Sequence, residues 1–142
     1  MHIRLFVFLL AQIAMLGPAC AADIALRYDG VYVGAPFDDD KEYCAYLRFY
    51  PQGTVITVSS VCDRRALPDI KRWFRASQAG PKRSGVSRGK VQISGEQISF
   101  SAVSREGKVA YRGGMVGDRL RLGSHSFING NEDVEVYSFV PW

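Results

Sequence analysis

The stretch Ala45-Tyr46-Leu47-Arg48-Phe49-Tyr50-Pro51-Gln52-Gly53-Thr54-Val55-Ile56-Thr57-Val58-Ser59-Ser60 carries the strongest structural signal in the chain. Two runs rich in aromatic and β-branched residues flank a Pro-x-Gly turn, in which Pro51 presets φ and Gly53 tolerates a positive φ. A three-residue loop of this kind closes a β-hairpin and places Arg48 opposite Ile56. The sequence therefore predicts an antiparallel hairpin at this point.

Two cysteines flank the hairpin, with Cys44 just before its first strand and Cys62 just after its second. The register places Cys44 opposite Ser60, so Cys62 lies two residues past its ideal partner. One bulge or a diagonal bridge closes such a gap. We therefore expect a Cys44–Cys62 disulfide that pins the open end of the hairpin. The alternative is a pair of separate buried thiols.

The start of the chain has the three parts of a secretory signal peptide. A basic start ends at Arg4, residues 5–16 are apolar apart from Gln12, and Ala19-Cys20-Ala21 reads as an A-x-A cleavage site. We expect residues 1–21 to be removed and residues 22–142 to form one periplasmic or secreted domain. The apolar run is shorter than the roughly 20 residues that span a bilayer, so we expect no transmembrane helix in the mature chain.

Cys20 gives the leader a second interpretation. A cysteine after small residues resembles a bacterial lipoprotein signal, in which the cysteine is acylated and becomes the new N-terminus. The alternative location is therefore a lipid anchor through Cys20. In either case Cys20 takes no part in a disulfide, and Cys44 and Cys62 form an even pair in an oxidising space.

Composition excludes some classes of function. Hydrophobic residues make up 47% and charged residues 23% of the chain, which is typical of a globular protein. The net charge of +4 is too weak to indicate nucleic acid as a partner. The mature chain is long enough for one domain with its own core, and we expect a monomer.

One helix interrupts the β pattern. Within residues 66–79 the apolar side chains Ile70, Trp73 and Phe74 stand at i, i+3 and i+4, which is the spacing of a helix face. Gly80-Pro81 ends this segment, which predicts a helix of about ten residues. The polar, basic residues 81–89 that follow read as a loop.

Short β-like runs make up most of the remaining chain, at Gly30–Gly34 and at residues 90–93, 97–103, 108–116, 119–127 and 134–140. Together with the hairpin they give eight strands joined mostly by tight turns, which indicates antiparallel neighbours. The fold class that we predict is all-β: an eight-stranded antiparallel up-and-down barrel with one short helix between the third and fourth strands. A two-sheet sandwich is the alternative.

Closure of such a barrel places one apolar face of each strand inside. The residues expected in the interior are Leu47, Phe49, Ile56, Val58, Val91, Ile93, Ile98, Phe100, Val109, Tyr111, Leu120, Leu122, Tyr137 and Phe139.

The early Gly30-Val31-Tyr32 strand, the meander and the short helix resemble the lipocalin-like superfamily, in the loose sense of small exported bacterial barrels. This resemblance implies a barrel that holds a small ligand. In its size, export and single disulfide the chain is also similar to small barrels that inhibit proteases or lysozyme in bacterial envelopes. The resemblance thus implies either a small-molecule ligand or an envelope protein as the partner.

No catalytic motif stands out. Gly85-Val86-Ser87-Arg88-Gly89 matches G-x-S-x-G, but a nucleophile elbow requires a preceding strand and a following helix. His125 stands alone, without a second ligand at a spacing suited to a metal. We expect no enzyme activity, no cofactor and no metal site.

The helix offers the most specific binding hypothesis. We expect Trp73 and Phe74 to cover one mouth of the barrel, ringed by the cationic side chains of Arg64, Arg65, Lys71 and Arg72. That arrangement predicts a binding site for a small apolar or anionic ligand, with a plug over a dry core as the alternative. A second hypothesis is a protein-interaction or inhibitor barrel that acts through exposed loops such as residues 81–89.

Overall fold

The computed structural model describes residues 24–34, 42–75, 77 and 79–142. The predicted leader, the boundary after residue 21 and the lipidation candidate Cys20 lie outside this range. In chain order the elements are β1 (Gly30–Gly34), β2 (Tyr43–Phe49), β3 (Thr54–Val61), a 3-10 helix (Arg64–Ala66), α1 (Leu67–Trp73), β4 (Val86–Lys90), β5 (Gln92–Ser94), β6 (Gln97–Ser104), β7 (Gly107–Val116), β8 (Arg119–Ser126) and β9 (Glu132–Pro141).

The strands form one antiparallel sheet that closes on itself. Its order is β4-β3-β2-β1-β9-β8-β7-β6-β5, and a further pairing of β4 with β6 joins the two ends. Because only Val91 separates β4 from β5, these two short strands share one position in the barrel wall. The predicted eight-stranded barrel, with a helix between its third and fourth strands, is therefore confirmed.

The hairpin of β2 and β3 has the predicted register. Arg48 pairs with Ile56 and Cys44 with Ser60, and Gly53 in the connecting turn has a φ of 82°. The predicted disulfide is also present, between Cys44 and Cys62, whose Cα atoms lie 5.0 Å apart. The bridge covers the two-residue offset diagonally and ties the end of β3 to the start of β2.

Side chains fill the interior of the barrel. Aromatic rings form a continuous chain of contacts across it, with centroids 5.2 Å apart for Phe139–Tyr32, 5.5 Å for Tyr32–Phe49, 5.8 Å for Phe49–Phe100 and 4.7 Å for Phe100–Tyr111. Edge-to-face and stacked pairs at these distances add to the stability that burial provides. The interior is therefore a packed core.

A second apolar cluster lies on the outside of the barrel wall. It joins outward-facing residues of β1, β2 and β3 to α1 and the segment after it: Val31, Val33, Cys44, Tyr46, Ile56, Val58, Ile70 and Phe74. The prediction that Ile56 and Val58 face the interior was wrong, because both faces of β3 are apolar and Val55 takes the inner one. Ile93 pairs with Ile98 and shares its inner side, as predicted, but it is 46% exposed on the short strand β5.

The helix lies against this outer cluster, so the prediction that it covers a mouth of the barrel was wrong. Ile70 and Phe74 are buried in the cluster, whereas Trp73 is 43% exposed. The helix is also shorter than predicted: it ends at Trp73, and Phe74 has a ψ of 54°. The Phe74 carbonyl accepts hydrogen bonds from the Tyr50 hydroxyl and, at 3.2 Å, from Arg48 Nη1, which draws the chain toward the sheet.

The segment before β1 contacts the barrel interior instead. Ile24 and Leu26 pack against the inner cluster, and the backbone N–H of Arg27 donates to the Tyr32 hydroxyl at 3.0 Å. Ile24, Arg27 and Tyr32 also line, together with Met115, a pocket of about 510 Å³ at the end of the barrel from which β1 starts.

The predicted loop at residues 81–89 is partly a strand. Val86–Lys90 forms β4, which pairs with β3 over five residues and with β6 at Arg88. The sequence of β4 is polar and holds a glycine, so its local propensity for a strand is low. The free edge of β3 and the closure of the barrel supply the pairing that local sequence did not predict.

Candidate functional site

The outer face of the barrel has a part that the helix does not cover, on strands β5 to β9. A row of paired residues crosses this face: Gln92 with Ser99, Ser99 with Arg112, Arg112 with Gly123, and Gly123 with Val134. Since paired residues point to the same side of a sheet, all five share the outward side. This row brings together residues that lie up to 42 positions apart in the sequence.

A second outward row runs beside the first. Ser101 pairs with Ala110, Ala110 with His125, and His125 with Glu132. In the first row the small residues Ser99 and Gly123 alternate with larger side chains, and the second row begins with the small residues Ser101 and Ala110. Small residues between large ones create a depression on the surface.

That depression is a groove of about 960 Å³. We call it the outer groove; it is lined by Lys90, Gln92, Ser99, Phe100, Ser101, Ala110, Tyr111, Arg112, Gly123, Ser124, His125, Glu132, Asp133 and Val134. From β6 to β9 it crosses three strand spacings, or about 14 Å. A groove of this length suits an elongated ligand, or one extended segment of a larger molecule.

The charges of the outer groove are unevenly distributed. Lys90 and Arg112 line it, and neither forms an ion pair with a carboxylate of the described residues. At the β9 side, His125 Nδ1 lies 3.1 Å from Glu132 Oε1. Hydroxyls of Ser99 and Ser101 belong to the same lining. The arrangement offers cations and hydroxyl donors to an anionic group of a ligand.

A carboxylate clamps the turn between β6 and β7 to the loop before β4. Glu106 accepts hydrogen bonds from the hydroxyls of Ser84 and Ser104, the latter at 2.8 Å, and from the Gly85 N–H at 3.3 Å. The Ser84 bond, followed by the Ser104 bond, lowers the pKa of Glu106 to about 2. The loop is thus held by an ionised carboxylate at neutral pH.

The turn between β8 and β9 carries two exposed apolar side chains. Phe127 is 58% and Ile128 52% exposed. The backbone here is well fixed, since the N–H groups of Gly130 and Phe127 donate at 2.8 Å and 2.9 Å to the carbonyls of Ser126 and Lys108. We call Phe127 and Ile128 the hairpin tip.

Two tyrosines of the interior stay protonated. Burial, and then the Glu135 charge, raise the pKa values of Tyr111 and Tyr137 above their usual range. Both phenols therefore act as neutral core groups.

The sequence-predicted binding residues lie together on the helix side. Arg64 and Arg65 belong to the 3-10 helix, Lys71 and Arg72 to α1, and all four are exposed. Arg72 Nη1 pairs with Asp69 at 3.4 Å, and Phe74 is buried behind the helix. None of the six lines the outer groove. Their role in binding remains a prediction.

The G-x-S-x-G match does not form a nucleophile elbow. Ser87 lies within β4, paired with Thr57, so the segment is a strand where an elbow needs a sharp strand-to-helix turn.

Across the described ranges, no group of three His, Cys, Asp or Glu side chains is placed to hold a metal ion. No helix in the described part of the chain is long and apolar enough to cross a membrane.

Sequence reasoning missed the outer groove. Lys90, Arg112 and Gly123 are unremarkable singly, and only the pairing register brings them to one surface. The available signal was a few small residues in three separate strands, Ser99 and Ser101 in β6, Ala110 in β7 and Gly123 in β8. Comparison with known proteins adds no assignment: no family model, no curated protein and no solved structure matches the chain.

Proposed function

We propose that this chain is an exported, non-enzymatic binding barrel that holds an elongated ligand with an anionic group in the outer groove. The observation that carries the proposal is the contrast between the two surfaces of the sheet. Aromatic side chains occupy the interior, while the outer groove offers about 960 Å³ lined by two cations and several hydroxyls, with the carboxylates of Glu132 and Asp133 at its β9 side. Export is supported by the Cys44–Cys62 disulfide, which persists in oxidising compartments.

Arg112 and Lys90 are the residues that we assign to recognition of the anionic group. Arg112 stands in the middle of the first outward row, and Lys90 lies at the β4 side. A guanidinium binds a carboxylate, sulfate or phosphate with two parallel hydrogen bonds, and an ammonium adds a point charge. The serine hydroxyls between them supply further donors.

Gly123 allows a direct test by filling the groove. A Cβ atom at this position meets its nearest neighbours at 3.6 Å and 4.0 Å, so a side chain fits without a backbone clash. Gly123→Tyr should fill the groove, and Gly123→Ala is the matched control. Native mass spectrometry of protein purified from its own host should show a bound small mass on the wild type and on Gly123→Ala, but not on Gly123→Tyr.

A charge variant tests the same site independently. Arg112→Glu should also lose the bound mass, whereas Arg119→Glu, an exposed arginine of β8 outside the lining, should retain it. A wild-type protein without any bound small mass would overturn the proposal. So would a mass that survives both Gly123→Tyr and Arg112→Glu.

The hairpin tip favours a second function, an envelope protein-interaction or inhibitor barrel. Two neighbouring apolar side chains exposed on a fixed turn are typical of a segment that inserts into a partner's cleft. In this case the same purification should yield a stoichiometric protein partner. The double variant Phe127→Ser/Ile128→Ser should lose that partner, while Gly123→Tyr should keep it.

A further inference from the structure

Arg48 is held in an unusual position on the outer face of β2. Its guanidinium carbon lies 4.8 Å from the centroid of the Tyr50 ring and 5.6 Å from that of the Trp142 ring. Its Nη1 donates to the Phe74 carbonyl at 3.2 Å. The guanidinium is therefore fixed among aromatic rings beside the end of α1.

A second cation lies at the same indole ring. Lys71 Nζ is 5.3 Å from the centroid of Trp142. Cation–π contacts stabilise each charge singly, but two like charges at one ring repel each other. Among the described residues, no carboxylate forms an ion pair with Arg48 or with Lys71.

Two buried donors at this place have no protein acceptor. Neither Arg48 Nε nor Trp142 Nε1 has a hydrogen-bond partner among the described groups, and both atoms are inaccessible to solvent. A buried polar group without a partner lowers the stability of the fold, so native proteins rarely leave one unsatisfied. Two such donors from contacting side chains, one of them part of the Arg48 guanidinium and both beside the Lys71 ammonium, have the chemistry of a site for an acceptor that carries negative charge.

We propose that Arg48, Trp142 and Lys71 form a binding site for an oxyanion, the carboxylate or phosphate group of a ligand. Arg48 Nε and Trp142 Nε1 would each donate one hydrogen bond, and Lys71 would add charge from the exposed side. The site lies on the helix-covered side of the barrel and shares no residue with the outer groove. It includes Lys71 and contacts Phe74, two of the residues that the sequence had indicated for binding.

The indole N–H of Trp142 reports on this site directly. The chain contains two tryptophans, Trp142 and the half-exposed Trp73, so two indole signals are expected in a ¹H–¹⁵N spectrum. Trp142→Phe assigns them, because it removes one signal. On addition of sodium phosphate, or of sodium acetate in a parallel titration, the Trp142 signal should move to saturation while the Trp73 signal stays in place. Sodium chloride at matched ionic strength is the control, and the tighter of the two anions identifies the group preferred.

Variants locate the charges that the anion needs. Arg48→Met should abolish the shift of the Trp142 signal. Lys71→Met, at an exposed position where the fold tolerates change, should weaken binding of the anion about fivefold, and Arg75→Met, also at an exposed position, should leave the affinity unchanged. If Arg48→Met fails to fold, the comparison of Lys71→Met with Arg75→Met decides the matter. The proposal is overturned if neither anion gives a saturable shift, if chloride gives the same shift, or if Lys71→Met and Arg75→Met bind equally.

Discussion

At the scale of single residues, Glu106 shows how one side chain replaces regular structure. The loop before β4 has few backbone pairings of its own, and Glu106 holds it through two serine hydroxyls and one backbone N–H. A carboxylate that accepts several hydrogen bonds favours its ionised form, which is the reason for its low pKa.

The first prediction follows from this clamp. The pKa of Glu106 is lowered from 4.5 to about 2 in the folded protein, so its contribution to stability is complete above pH 4.5 and is lost as the pH falls toward 2. Glu106→Gln should be less stable than the wild type at pH 6, and the two should converge near pH 2. Urea unfolding midpoints across this range measure the difference.

Glu96→Gln, which changes an exposed glutamate at the β5–β6 turn, is the matched control for this prediction. At pH 6 it should lower the stability less than Glu106→Gln does. If Glu106→Gln behaves like Glu96→Gln, the clamp does not exist in solution.

At the scale of elements, α1 acts as a cover for the barrel wall. A seven-residue helix is marginal on its own, so its burial against β1, β2 and β3 provides its stability. The residues that bury it are Ile70 and Phe74, while Trp73 points to the solvent side. The helix protects outward-facing apolar residues that the meander alone would leave exposed.

The second prediction compares the two faces of α1. Ile70→Ala should lower the free energy of unfolding by about 2–5 kcal/mol, because it leaves a cavity in the outer cluster. Trp73→Ala should cost about 1 kcal/mol or less, because the side chain is 43% exposed. Denaturant unfolding of both variants gives the values, and a larger loss for Trp73→Ala would show that the helix buries the opposite face.

The hairpin shows how far sequence reasoning reaches at this scale. Pro51 and Gly53 fixed the turn, and the register of β2 with β3 followed from its length. That register places Ile56 on the same side of the hairpin as Arg48, which is the outer side. The alternation of apolar residues in β3 nevertheless predicted that Ile56 and Val58 face the interior. Because Val55 and Ile56 are both apolar, period-two patterning does not distinguish the faces of this strand.

Strand β4 and the outer groove mark what local sequence could not supply. The polar segment from Val86 to Lys90 becomes a strand because β3 and β6 each offer it an edge. The groove depends on the register between β6, β7, β8 and β9, of which the first three contribute small residues. Both features arise from long-range pairing, which turn chemistry and periodicity do not encode.

At the scale of the whole molecule, the sequence predicted the closure of the barrel but not the position of its candidate binding surface. Eight predicted strands joined mostly by tight turns indicated a closed sheet, and the closed sheet is present. The sequence predicted a helix over one mouth of the barrel, either as the lid of a binding cavity or as a plug over a dry core. The chain instead fills its interior with rings, covers one outer side with α1 and leaves a groove on the other.

The third prediction concerns the disulfide that joins β2 to the end of β3. Cys44 and Cys62 are 18 residues apart, and closing a loop of this length in the unfolded chain stabilises the fold by about 3 kcal/mol. The double variant Cys44→Ala/Cys62→Ala should unfold at a lower denaturant concentration by a corresponding amount. Wild-type protein treated with a reductant should match the variant, and a reductant without effect on the wild type would contradict the assignment.

The claim on which the account depends is that rings fill the lumen, so that binding takes place on the outside. Nuclear Overhauser contacts between ring protons of selectively labelled phenylalanine and tyrosine test it most directly. The account predicts contacts along the chain Phe139, Tyr32, Phe49, Phe100 and Tyr111, unchanged when the bound small mass is removed. Missing Tyr32–Phe49 and Phe49–Phe100 contacts, or their appearance only after a ligand has been stripped from the protein, would contradict it.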